Sequence, residues 1–193
     1  MKRYILAITG ASGGILGIRL LEELVKAKAV VYTIITKQSF SIIRDEVGLD
    51  WTNDTEKKIR QYLKTRDVSY LDEYNLAAPI SSGSFKTDAM IVCPCSMKTL
   101  SGIASGYANN LVERAADVML KEGRPLILVP RETPFNSIHL ENMLRLSRLG
   151  VRIIPPIPGF YHKPRKIEDI IDFIVGKVLD SLSVEHSLFK RWG

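Results

Sequence analysis

The chain is poor in residues that staple or ligate. Its 193 residues include two cysteines, three histidines and two tryptophans. Cys93 and Cys95 flank a single proline, too close together for a disulfide framework. The further cysteines or histidines of a zinc site are missing, so the pair reads as buried free thiols. No apolar run reaches the ~18 residues of a membrane span. The chain opens on a strand-like segment with no signal-peptide pattern ahead of it. A cytoplasmic protein with no membrane contact is expected. Repeats, low-complexity tracts and linkers are lacking too. Nor does one charge dominate: 27 Lys and Arg stand against 21 Asp and Glu, a net charge of +6. This spread excess suits an anionic ligand. The basic stretch Lys57, Lys58, Arg60, Lys64, Arg66 is interleaved with acids, so no nucleic acid is expected as a partner.

What is present is ordinary globular composition, 46% hydrophobic and 25% charged, enough for one domain over 1–193. Strand-like and helix-like patterns alternate. Short apolar runs at Tyr4–Thr9, Val30–Thr36, Ala89–Cys93 and Pro125–Val129 read as buried parallel strands, with a shorter one at Val151–Ile154. Helical spacing covers Ile15–Lys26, Phe40–Val47, Asn53–Lys64 and a stretch from Ser96 that breaks near Gly106 and resumes over Asn109–Glu122. It returns over Ser137–Leu149, with Leu140, Met143 and Leu144 inward, and over Ile167–Leu182. The alternation predicts a single-domain α/β fold, a doubly wound parallel sheet in a flavodoxin-like or Rossmann-like three-layer sandwich. Ligands of such folds bind outside the carboxyl ends of the strands.

The unusual residues collect there. Thr9-Gly10-Ala11-Ser12-Gly13-Gly14 follows the first strand and opens a helix, a pattern that suits a phosphate. It is not G-x-G-x-x-G. The second strand ends in Thr36-Lys37 rather than an acid, and no tyrosine has a lysine four residues later. A dinucleotide is disfavoured on these grounds, and a mononucleotide such as FMN fits better. Ser81–Lys86 is a hydroxyl-rich loop, which needs no ligand to explain it. At Cys93–Thr99, Ser96 fits a helix N-cap whose neighbouring N–H groups could face a ligand. Arg131-Glu132 follows a strand, either as a surface salt bridge or as an anion holder beside a proton-handling acid. Arg114 and Lys121 lie seven apart on one helix face. Gly159–Pro164 carries Tyr161 and His162, a loop histidine that reads as solvated rather than as a base.

Taken in order, TGASG at 9–13, SGSF at 82–85, CPCSMKTL at 93–100, NNLVERAADVMLKE at 109–122, LVPRETP at 128–134, HLENML at 139–144 and GFYH at 159–162 resemble the flavin prenyltransferases of the UbiX type. The resemblance runs over nearly the whole chain. It implies transfer of a dimethylallyl group from dimethylallyl monophosphate to N5 and C6 of reduced FMN, without metal. The prenylated FMN is the cofactor of UbiD-type decarboxylases, which become the expected recipients. It also implies a homo-oligomer, a dodecamer, with sites where subunits meet. By position, Gly10, Ala11 and Ser12, Thr36, Ser96, Met97, Lys98, Thr99 and Arg131 match FMN-binding residues. Lys121, Tyr161 and Lys177 match the dimethylallyl-phosphate group. Ser12, Glu46, Arg114, Lys121 and Glu132 match catalytic residues, with Glu46 assisting proton transfer. Two positions depart from the pattern. Some members carry arginine where this chain has Lys177, and a lysine loses the bidentate fork. Some have a tryptophan where Leu76 stands, with Tyr74 nearby as a substitute. The tail at 184–193 is a candidate for packing on a neighbouring subunit. The rival readings are an FMN-binding or delivery subunit of an aromatic-acid decarboxylase, and a flavin-dependent cysteine decarboxylase. The latter's active-site histidine is missing from the helix after the first strand.

Overall fold

The computed structural model describes residues 1–192. Six parallel strands form one sheet: β1 (Arg3–Ile8), β2 (Val30–Ile35), β3 (Val68–Leu71), β4 (Ala89–Cys95), β5 (Leu126–Pro130) and β6 (Arg152–Ile153), in the order β3-β2-β1-β4-β5-β6. Successive side chains of a strand point to opposite faces. Tyr4, Leu6 and Ile8 of β1 join one core with α1 (Gly14–Lys26), α2 (Lys37–Val47), α3 (Thr55–Leu63) and α7 (Ile167–Ser181). Ile5 and Ala7 join the other, with α4 (Met97–Ser105), α5 (Leu111–Lys121) and α6 (Ser137–Arg148). Both faces are thus covered, which is why the central strands read as unbroken apolar runs. The expected three-layer sandwich is the observed one.

Helix α1 fits the sheet through one small residue. A Cβ on Gly17 would stand 2.4 Å from the Cys93 carbonyl and 2.9 Å from Ile8. Strand β4 changes register between Val92 and Cys95. Pro94 sits in that irregularity, where a missing N–H costs no ladder bond. The shift also breaks the two-residue alternation, so Cys93 faces the α1 core and Cys95 the α5 core. Both are buried, free thiols.

Several elements differ from the sequence reading. Strand β3 is an edge strand of four residues, too short for its pattern to register. Helix α2 begins at Lys37 rather than Phe40, because Thr36 takes the cap position and the buried Glu73 carboxylate accepts the Lys37 N–H. Helix α6 is rotated from the expected orientation. Leu146 is its buried residue and Met143 is half-buried, while Leu140 and Leu144 are 54% and 52% exposed. Only one flank of α6 meets the body; Leu140 and Leu144, one turn apart, form an outer apolar stripe of the kind that marks interfaces, and Ile138 and Leu149 stand exposed on the other side. Ile167, the first residue of α7, is exposed. After α7, Val184, Leu188 and Phe189 pack back on the chain's own core, and Lys190, Arg191 and Trp192 stand exposed. Gly193, the last residue of the expected tail contact, lies outside the described residues. No helix among the described residues is long and apolar enough to cross a membrane.

Candidate functional site

The strand order reverses between β1 and β4, and their chain continuations part there to opposite faces of the sheet. This is where doubly wound sheets open a crevice. Thr9 ties its two sides together. Its N–H and its hydroxyl both donate to the Pro94 carbonyl, at 3.2 and 2.9 Å, and its Oγ1 accepts the Ser96 N–H at 2.8 Å. The side chain is buried and its hydroxyl has both a donor and an acceptor role filled. Gly10 follows because Gln38 of α2 crowds it: an added Cβ would meet Gln38 Cβ at 3.0 Å.

The N-terminus of α1 holds an anion already, and it belongs to the chain. Gly13, at φ +104, caps the helix with no side chain to offer. Glu46 supplies one from α2. Its Oε2 accepts the Gly13 and Gly14 N–H groups at 3.0 and 2.9 Å, with Oε1 3.2 Å from the Gly13 nitrogen. A carboxylate at the positive end of a helix is stabilised there. The phosphate seat expected across the glycine turn is therefore filled at Gly13 and Gly14, and Glu46 is held beside Ser12.

Three more strand ends complete the crevice. The Ser39 hydroxyl donates to the Ile8 carbonyl at 2.9 Å, so in its 2.8 Å contact with Thr36 the threonine is the donor. Thr36 Oγ1 thus keeps its acceptor lone pairs and has no proton to give a phosphate. Ser96 caps α4, accepting the Thr99 N–H at 3.2 Å and donating to Thr99 Oγ1 at 3.1 Å. The first-turn amides of Met97 and Lys98 have no carbonyl partner within the helix. Arg131 leaves β5 with its N–H on the Cys95 carbonyl and its Nε donating to the Ser12 carbonyl at 3.1 Å, bridging the crevice. Its remaining guanidinium donors stay available for an anion. Glu132 does not pair with Arg131; its carboxylate turns to the Thr133 N–H at 3.0 Å. Both line a cavity of about 330 Å³ with Phe135 and Pro155–Ile157. A larger concavity, about 970 Å³ along α3, lies elsewhere, and none of its lining side chains is buried.

Other expected residues stand apart within one chain. Helix α5 runs back across the sheet, so Lys121 at its end lies toward the amino ends of the strands. Its Nζ pairs with Glu122 against the Ser82-Gly83-Ser84 loop, and the nearby Arg124 donates to the Gly83 and Phe85 carbonyls. Arg114 lies on the same face, with Nε on the Ser81 carbonyl at 3.1 Å and a salt bridge to Asp117 at 2.7 Å. Tyr161 and Lys177 form a third group at α7. The Tyr161 ring meets Phe173 and Trp192 edge-on, at centroid distances of 5.8 and 5.5 Å, and Lys177 Nζ lies 3.4 Å from Asp180. His162 is not the solvated histidine expected. Its ring stacks on Phe173 at 4.9 Å, and both ring nitrogens are buried without a hydrogen-bond partner. Burial pushes the Cys93 thiol up to about 12 and raises Cys95 as well, so neither is a nucleophile near neutral pH.

A sequence model of the family described as Flavoprotein matches residues 1–179. The chain is 50% identical to Flavin prenyltransferase UbiX of Alkalihalophilus pseudofirmus, over 100% of this chain and 96% of that protein. The chain belongs to the UbiX flavin prenyltransferase family. Among solved UbiX-type structures, a dodecameric FMN-dependent UbiX-like decarboxylase from Escherichia coli O157:H7 superposes with a TM-score of 0.88. The two are 44% identical, over 99% of each chain. AnUbiX (PadA1), solved with FMN and dimethylallyl pyrophosphate, superposes at 0.89 with 42% identity, over 100% of this chain and 97% of that one.

Within this UbiX-type crevice the structure adds residues that the sequence did not single out. Gln38 and Ser39 of α2 shape the floor under Gly10 and orient Thr36. Glu73 fixes the start of α2 through the Lys37 N–H, and its carbonyl accepts the first amide of α5. Its signal in the sequence was faint: an acid just beyond a short edge strand. Among the described residues no cluster of three or more His, Cys, Asp or Glu is placed to hold a metal.

Proposed function

We propose that this flavin prenyltransferase joins the dimethylallyl group of dimethylallyl monophosphate to N5 and C6 of reduced FMN. One observation supports the reading: Ser12, Ser96–Thr99, Arg131 and Glu132 follow separate strand ends around one crevice, and Glu46 reaches it from α2. The residues fit FMN. Gly10 and Ala11 let the flavin approach the backbone, Thr36 accepts a hydrogen bond, and Ser12, the Met97 and Lys98 amides and Arg131 donate. Bound reduced FMN supplies the electron-rich atoms that accept the prenyl group. Every other role belongs to the chain.

The allylic C–O bond breaks, and the phosphate leaves with the electron pair. Lys121, Arg114, Tyr161 and Lys177 stabilise that developing anion, which lowers the barrier where charge appears. Glu46 and Glu132 would accept the protons given up at N5 and C6 and return one of them to the prenyl double bond, which opens as the second carbon–flavin bond forms; the other proton leaves with the phosphate, and a dry pocket protects the allylic fragment from water. Because Lys121 stands away from the crevice within one chain, a complete site needs a neighbouring copy. The exposed α6 stripe supports such an assembly, and a dodecamer is the proposed state. The product passes to a UbiD-type decarboxylase. The test is anaerobic: reduced FMN and dimethylallyl monophosphate are added, and the extracted flavin is weighed by mass spectrometry. A gain of one isoprene unit is expected; unmodified flavin, with binding confirmed, overturns the reading.

A further inference from the structure

Three side chains converge on one carboxylate near the end of the chain. Asp180 of α7 accepts from Arg191 at 2.7 Å on Oδ1 and 3.2 Å on Oδ2. His186 Nε2 lies 3.1 Å from Oδ1, and Lys177 Nζ lies 3.4 Å from Oδ2. The His186 side chain is 1% exposed, and its Nδ1 accepts the Leu188 N–H at 3.2 Å. The Nε2 proton therefore points at Asp180. Arg191 also lies over the Phe189 ring, 5.8 Å from its centroid.

The helix is cut to receive this segment. Gly176 lies inside α7, where glycine costs ~1 kcal/mol relative to alanine. A Cβ there would stand 2.5 Å from Phe189 and 2.7 Å from His186. The next residue, Trp192, lies against Tyr161. Fixing Arg191 thus fixes where Trp192 meets Tyr161, while the same carboxylate holds Lys177.

We infer that Asp180 is a positioning residue, which with Arg191 and Gly176 latches residues 184–192 onto α7 and so sets the Tyr161–Lys177 corner for an organic phosphate. The phosphate part rests on the function proposed above. The latch part rests on geometry alone.

The experiment uses the full-length assembly and the variants Asp180→Ala, Arg191→Ala, Arg191→Lys and Gly176→Ala. Hydrogen exchange of the 183–192 peptide reads the latch, and the KM for dimethylallyl monophosphate reads the corner. Asp180→Ala, Arg191→Ala and Gly176→Ala are expected to raise exchange of that peptide about tenfold, since local opening then costs less. The α7 peptides stay protected. KM rises about tenfold while kcat stays within about twofold, the scale of one lost charged hydrogen bond. Arg191→Lys recovers part of both, keeping charge without the fork. Arg191 is exposed, so its variants test the latch even where Asp180→Ala folds poorly. Wild-type exchange in Arg191→Ala and Gly176→Ala overturns the latch, and raised exchange with unchanged KM overturns its role at the corner. Absence of prenyl transfer in the wild type overturns the proposed function instead, and the exchange readout then still decides the latch.

Discussion

The tightest contact between α1 and the sheet gives the sharpest stability prediction, made by Gly17→Ala. The new Cβ would lie 2.4 Å from the Cys93 carbonyl, about 1 Å inside the closest ordinary contact. That carbonyl belongs to a fully buried central strand and cannot move aside. Helix α1 must shift or tilt instead. Overpacking of this kind costs ~1–3 kcal/mol. Alanine returns ~1 kcal/mol of helix propensity, so a net loss of up to ~2 kcal/mol is expected. The shift is carried to Gly13 and Gly14 at the head of the same helix, and so to Glu46 and the loop proposed to hold the flavin. FMN affinity should fall about tenfold, the equivalent of ~1.4 kcal/mol. Gly150→Ala is the control. Its Cβ meets nothing within 4 Å, but φ is +84, so it costs ~1–2 kcal/mol through backbone conformation alone. Gly150 borders the first residues of β6, at the opposite end of the sheet from the crevice. Denaturant unfolding and flavin titration on both variants separate the two effects. Equal loss of stability with equal flavin affinity in the two would refute the steric coupling of α1 to the site.

Further predictions follow from the charges and the assembly. Glu46→Ala should cost ~1 kcal/mol by uncapping α1, and Glu46→Gln should keep much of that stability while slowing turnover; equal rates for Glu46→Gln and wild type would remove its proton-handling role. Lys121→Ala and Arg131→Ala, each inactive alone, should recover activity when co-expressed, because about a quarter of shared sites then draw both intact residues; activity of Lys121→Ala alone would argue against shared sites. The Cys93 thiol, pushed up from 9.0 to about 12, keeps its proton in the folded state while the unfolded state loses it. Stability should therefore fall as pH rises from about 9 to about 12, and Cys93→Ala should flatten that fall in alkaline melts.

Much of the fold was legible because buried parallel strands announce themselves as apolar runs. The cap at Ser96 was legible because capping is local. Strand β3 was not, since Val68–Leu71 lies at an edge with one buried residue. The orientation of α6 was misread because periodicity marks an apolar stripe without saying whether the chain's own core or another surface covers it. The Glu46 carboxylate at Gly13 and Gly14 joins residues 33 and 32 apart through tertiary packing, which no local pattern encodes. Helical spacing placed Arg114 and Lys121 on one face correctly. Where that face lies relative to the crevice depends on the return path of α5.

The Thr9 knot has a consequence for synthesis. It joins strand ends 85 residues apart, and the Arg131 bridge reaches back 119 residues to Ser12. A nascent chain that has emerged only through β3 holds the glycine turn, Thr36 and Glu46, yet has no second wall to its crevice. With Arg131 assigned to FMN as proposed, flavin capture waits until the ribosome has delivered β5 and Arg131. On that assignment flavin acts on the finished fold, and a chain stalled before Arg131 gains no protection from it.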